Sequence, residues 1–237
     1  MVELIIAAHA PYPSAGTLRV HPVPEHLLRP EPEHPGLNRF DDPEGIVGVR
    51  YTATRLIGCL RETLARFRRS STAEATLEAV NGIDDGDVEW DLVDPAPIAD
   101  WLATQRVGTI RVTSIGPFID IEHETVLVEL DKHPRVREAV RGIDPSGHLD
   151  VALIRLGGGI GRPISQAVGI GVREWIPQAL GLGYRSRLAT DEPCWALWDT
   201  TAVETTSVEL DPGDPQHREA VRSIASFYEL PLPATWL

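Results

Sequence analysis

Apolar positions along the chain alternate between two periods, two residues and three to four, and their order predicts a mixed fold. Residues 17–21 (Thr-Leu-Arg-Val-His), set off by Gly16 and Pro22, predict a strand. Residues 46–53, with Ile46, Val47, Val49 and Tyr51, predict a second, buried one. Thr54 is then placed as a helix N-cap, and 55–69 reads as a helix whose Leu56, Ile57, Leu60, Leu64 and Phe67 fall on one stripe. Residues 70–87 would prolong that helix towards a turn at Asn81-Gly82. A loop and short helix are expected over 94–102, strands over 108–114 and 125–130, a helix over 134–141, and a buried strand over 151–156. The run 164–180 is expected to be helical, with a break forced by Pro177. Strands at 194–198 and 202–210 follow, and a last helix over about 214–228 opens on Asp214-Pro215, a cap followed by a first-turn proline. Strands and helices do not alternate regularly, so the pattern predicts an α+β domain and not a doubly wound sheet.

The length suits one large domain or two very small ones, and with no repeat, low-complexity tract or domain-sized linker a single domain over residues 1–237 is expected, with 42% hydrophobic content sufficient for its core. The net charge of -13 argues against nucleic acid and anionic membranes as partners, because both need a basic surface. Any bound anion must instead be held by local arginines. Cys59 and Cys194 form no disulfide framework, the first residues lack the basic region of a signal peptide, and no stretch reaches the roughly 20 apolar residues of a membrane helix. A cytoplasmic protein is expected.

Several familiar chemistries fail on spacing. The glycine run 157–161 does not fit GxGxxG, since Arg162 or Ile164 stands where the last glycine belongs, so it is expected to be a plain turn between a strand and a helix. His123-Glu124 lacks the second histidine of HExxH, the remaining histidines show no ligand spacing with the cysteines, and there is no GxSxG elbow. No metal is expected.

What remains is Arg39 in Gly-Leu-Asn-Arg-Phe, Tyr51 closing a strand, Glu62 two turns into the next helix, and Ser186 in Gly-Tyr-Arg-Ser-Arg-Leu (183–188). Taken alone, Glu62 falls opposite the apolar stripe, where a solvated glutamate paired with Arg66 would contribute ~0.3 kcal/mol. Its flanking Gly58 and Ala65, however, leave room for a ligand. Arg39 and Arg19 carry guanidinium forks suited to phosphate oxygens, and Arg19 sits inside an apolar strand. The order Arg, Tyr, Glu, Tyr-x-Ser resembles the RES family, which is named for its Arg, Glu and Ser. The likeness covers roughly residues 19–199 and departs at Phe40, where many relatives carry Trp.

That resemblance implies an ADP-ribosyltransferase-like α+β fold with small mixed β-sheets around an NAD cleft. It implies an enzyme that cleaves the nicotinamide-ribose bond of NAD, as glycohydrolase or phosphorylase, and in several relatives this is a toxin activity countered by an Xre-type antitoxin. Glu62, Arg39 and Ser186 would be catalytic. Arg19, Arg39, Tyr51 and Ser186 would bind NAD, with no cofactor beyond that substrate. The alternatives are an ADP-ribosyltransferase acting on a protein and a non-catalytic nucleotide-binding or interaction protein.

Overall fold

The computed structural model describes residues 9–22, 27, 36, 38–67, 96–156, 158–188 and 191–237. Seven strands lie in one mixed sheet: β1 (Thr17–His21), β2 (Val49–Ala53), β3 (Arg106–Val112), β4 (Phe118–Asp120), β5 (Gly181–Arg185), β6 (Pro193–Trp198) and β7 (Val203–Glu209). Their order is β4-β5-β6-β2-β1-β3-β7, with β4 and β5 parallel and every other pair antiparallel. The α+β class is therefore as expected, but the strands join in one sheet and not in several small ones.

One joint in that sheet is weak. The ladder between β1 and β2 holds the single pair Leu18↔Ala53, whereas β1 pairs with β3 over five residues and β2 with β6 over five. Away from that pair, towards His21 on one strand and Val49 on the other, no ladder joins the two, which divides the sheet into a four-stranded half and a three-stranded half. A cleft of about 1610 Å³ opens there, lined by Arg19, Val20 and His21 from β1 and by Val49, Tyr51 and Thr52 from β2.

Helices cover the face that carries Val49, Tyr51 and Ala53. Helix α1 (Leu56–Leu64), continued by a 3₁₀ turn at Ala65–Phe67, packs with α2 (Ala96–Thr104) and α7 (Pro215–Phe227) over β1 and β3. Over β2, β5 and β6 lie α3 (Glu124–Leu130), α4 (Pro134–Arg141), α5 (Val151–Arg155) and α6 (Gly158–Trp175), whose Ile164, Val168 and Val172 are fully buried. On the opposite face Tyr12, Leu27, Phe118 and Trp195 form a third apolar cluster. Among the described residues no helix is long and apolar enough to cross a membrane.

Two expected strands are helices instead, and a third begins late, each for a local reason. Residues 125–130 form α3, not a strand: the His123 side chain accepts the Thr125 N–H, and Val126 and Leu130, four apart, are buried while Val128 is exposed. In place of the strand over 151–156, Val151–Arg155 form α5, because Asp150 caps the Leu153 N–H at 2.7 Å. The strand expected from 46 begins only at Val49, since Asp42 accepts from the Glu44 N–H and Gly45 turns the chain with φ 69°. With no strand before it, the glycine run is not a strand-to-helix turn. Gly157 lies outside the described residues, and Gly158–Gly161 are the first turn of α6.

Thr54 is not the cap of α1. Its hydroxyl donates to the Pro193 carbonyl, Arg55 occupies the N-cap position without a side-chain bond, and the buried Glu192 accepts the Arg55 N–H instead. Helix α4 matches its predicted bounds, α6 stops at Trp175 ahead of Pro177, and Asp214 caps α7 through the Gln216 and His217 N–H groups. The proposed extension over 70–87 lies outside the described residues.

Candidate functional site

Helix α1 carries Glu62 to the cleft wall, half-buried, and its carboxylate accepts a hydrogen bond from the Ser186 hydroxyl. Ser186 follows β5 and is 1% exposed. Its N–H donates to the Glu192 carbonyl at 3.1 Å, and its Oγ accepts the Leu188 N–H at 3.1 Å. A serine held at three points presents its proton in one direction. Ser186 thus reaches Glu62 from beneath the wall, and its geometry is that of a residue orienting the carboxylate.

Arg39 sits on the segment 38–42 that precedes the Asp42 turn. Its Nη2 donates to the Ile154 carbonyl at 2.8 Å, and the guanidinium lies 4.9 Å from the Phe40 ring centroid and 5.3 Å from that of Tyr184. Its buried Nε finds no acceptor among the described residues. Burial pushes its pKa down, and nearby Tyr184 and Glu62 partly offset that; an arginine nonetheless stays charged at neutral pH. A fixed cation on a cleft wall is suited to an anion.

Tyr51 lines the cleft with its ring, while its hydroxyl folds the Arg39 segment. It donates to Asp41 Oδ1 at 2.9 Å and accepts the Phe40 N–H at 2.9 Å. Asp41 Oδ2 in turn accepts from the Asn38 N–H and side-chain amide. Helix α6 holds the segment from the other side through Gln166 Nε2, on the Gly36 and Asn38 carbonyls, and through the Arg173–Asp42 ion pair at 2.8 Å. Burial raises the Tyr51 and Tyr184 phenols well above their ordinary range, so both remain neutral donors.

Arg39, Tyr51 and Glu62 therefore lie on one cleft, with Arg19 on its β1 side and Ser186 behind Glu62. Two details differ from expectation. Arg66 does not pair with Glu62; its Nε donates to the Thr63 carbonyl and its guanidinium stacks on Phe67 and Trp101. Nor does Gly58 leave ligand space beside Glu62: a Cβ there would stand 2.5 Å from Cγ of Glu192, which fills that position.

Pattern reading quoted Tyr184 without giving it a role and did not single out Arg162, Arg187 or Asp41; all four are on the cleft wall. Tyr184 and Arg187 stand inside the very motif that carries Ser186, and Arg162 was visible only as the residue spoiling a glycine pattern. Cys59 and Cys194 also line the cleft, but burial pushes the Cys59 thiol up to about 12 and raises Cys194 too, so neither supplies a thiolate. Among the described residues no cluster of three or more His, Cys, Asp or Glu could hold a metal ion.

The wall can thus do two things together: stabilise positive charge developing at Glu62, and hold an anion at Arg39. No protein-family model, curated protein or solved structure matches the chain, so the likeness to the RES family rests on the residues above.

Proposed function

We propose that the protein cleaves the nicotinamide-ribose bond of NAD. The observation that carries this reading is the Ser186-oriented Glu62 carboxylate, in one cleft with the charged and largely desolvated Arg39. The bond breaks through an oxocarbenium-like ribose, which needs a fixed negative charge close by; a carboxylate already aimed by a buried hydroxyl needs no reorganisation to provide it. Arg39 faces a charge that the dinucleotide carries throughout, so its contribution falls on binding more than on the chemical step. The Tyr51 and Tyr184 rings offer a surface for the leaving nicotinamide.

Purified protein incubated with NAD is expected to release free nicotinamide. Glu62→Gln keeps an oxygen that can accept from Ser186 but removes the charge, so release should fall on the order of 10²- to 10³-fold while the melting temperature stays within a few degrees. Parental release by the Gln variant would remove Glu62 from the chemistry. Label from NAD appearing on a protein band, in place of free ADP-ribose or its phosphate, would assign the transferase chemistry instead.

A further inference from the structure

Among the described residues only two acidic side chains are buried, Asp42 and Glu192. Taking a carboxylate out of water is costly, so what each one holds is informative. Asp42 ties the Arg39 segment to α6 through Arg173. Glu192, 1% exposed, directly precedes β6 and works in two directions at once. Its carbonyl accepts the Ser186 N–H at 3.1 Å. Its carboxylate turns the other way, to the start of α1, where Oε1 accepts the Arg55 N–H at 3.1 Å and Oε2 accepts from Arg55 Nε at 2.7 Å. That helix start has no side-chain cap of its own, and its dipole favours a negative group there. The stem of the same side chain lies against Gly58, where a Cβ would come within 2.5 Å of its Cγ. Gly58 and Glu62, four residues apart, share one face of α1. Glu192 thus packs on the helix face that carries Glu62 while its backbone holds Ser186. The next residue ties the same junction again, since the Thr54 N–H and hydroxyl both donate to the Pro193 carbonyl.

We infer that Glu192 is a positioning residue, the clamp that keeps the Ser186 hydroxyl on a carboxylate 124 positions away in the chain. It fixes the start of α1 to the residue that follows β5, so that the two partners keep one separation. Glutamine at this position could not do the same. It offers one acceptor oxygen where Glu192 offers two, so in either orientation its amide sets a donor against a donor of Arg55. The clamp itself is a matter of protein geometry; its effect on turnover rests on the NAD reading.

Crystal structures and nicotinamide-release kinetics of the wild type, Glu192→Gln, Ser186→Ala and the double variant test it. In Glu192→Gln the Ser186 hydroxyl is expected to lie more than about 3.5 Å from the Glu62 carboxylate, outside hydrogen-bond range. Its kcat should fall on the order of 10- to 100-fold, the effect of a misplaced group, with KM changed less than about two-fold. Added to Ser186→Ala, the same substitution should lower kcat by less than about two-fold more, because no hydroxyl is left to hold. A role in stability alone would not produce that non-additivity. Should Glu192→Gln fail to fold, Arg55→Lys takes its place in both measurements, keeping the charge at an exposed position and losing the two-point fork. A broken bond in the variant of a protein that releases no nicotinamide even as wild type would sustain the clamp and refute the NAD reading. An intact Ser186–Glu62 bond, an unchanged kcat where the bond is broken, or losses that multiply in the double variant would overturn the clamp.

Discussion

At the residue scale, the site depends on hydroxyl groups that fix charged ones. Removing the Tyr51 hydroxyl with Tyr51→Phe leaves the ring in place but frees Asp41 Oδ1 and the Phe40 N–H, both joined through it. Stability is expected to fall by about 1–2 kcal/mol in urea denaturation. NAD affinity should fall with it, because the segment presenting Arg39 loses its tie to β2. Unchanged affinity alongside reduced stability would mean that Gln166 and the Arg173–Asp42 pair hold Arg39 unaided. Ser186→Ala separates the same two effects at Glu62. It removes a hydrogen bond to a carboxylate, worth about 1.5–3 kcal/mol, and leaves the Leu188 N–H without its acceptor. Nicotinamide release should drop through kcat with KM nearly unchanged; a loss confined to KM would instead put the hydroxyl on the substrate.

At the element scale, the interest lies in why some pieces were legible in the sequence and others were not. Helices α4 and α7 were, because each opens on a residue followed by proline, a signal that acts within a few residues. Helices α3 and α5 were not. Their short runs of Val, Ile and Leu suit a strand equally well, and one side-chain cap from His123 or Asp150 decided the matter. Arg39, Tyr51 and Glu62 stood out through the order they share with the RES family, but the packing around them comes from residues distant in sequence. Gly58 illustrates this. Helix propensity alone says Gly58→Ala should stabilise α1 by up to about 1 kcal/mol. The Glu192 side chain in its way cannot swing aside, since Arg55 holds it through its N–H at 3.1 Å and its Nε at 2.7 Å. The substitution is therefore expected to destabilise by about 1–3 kcal/mol. In a Glu192→Ala background the sign should reverse, and two equal shifts in urea midpoint would contradict the clash.

At the scale of the whole molecule, two electrostatic effects oppose each other as pH falls, and magnitude decides between them by range. A net charge of -13 at pH 7 means that protonation on the way to the isoelectric region near 5.0 relieves self-repulsion. Below that, individual carboxylates take over. Burial would raise Asp42, but the hydrogen bond from Arg173, the Glu44 N–H and the Arg173 charge outweigh it and hold the group below its ordinary value. Asp131 behaves alike: burial is outweighed by His148, the Leu149 N–H and Arg137. A carboxylate with a depressed folded pKa contributes stability that is fully present above its unfolded value of about 3.9 and is lost as pH falls through the folded one. The melting temperature should therefore hold or rise from pH 7 to 5, then fall steeply below about 4. Asp131→Asn is the cleaner probe, because Asp42→Asn would leave the mostly buried Arg173 without its partner. The Asn variant should be less stable than wild type at pH 7, and the difference should shrink progressively as pH falls below about 3.9, as the wild type loses the same carboxylate to protonation. A difference between the two proteins that stayed constant across that range would show that Asp131 contributes through its shape and hydrogen bonds and not through its charge.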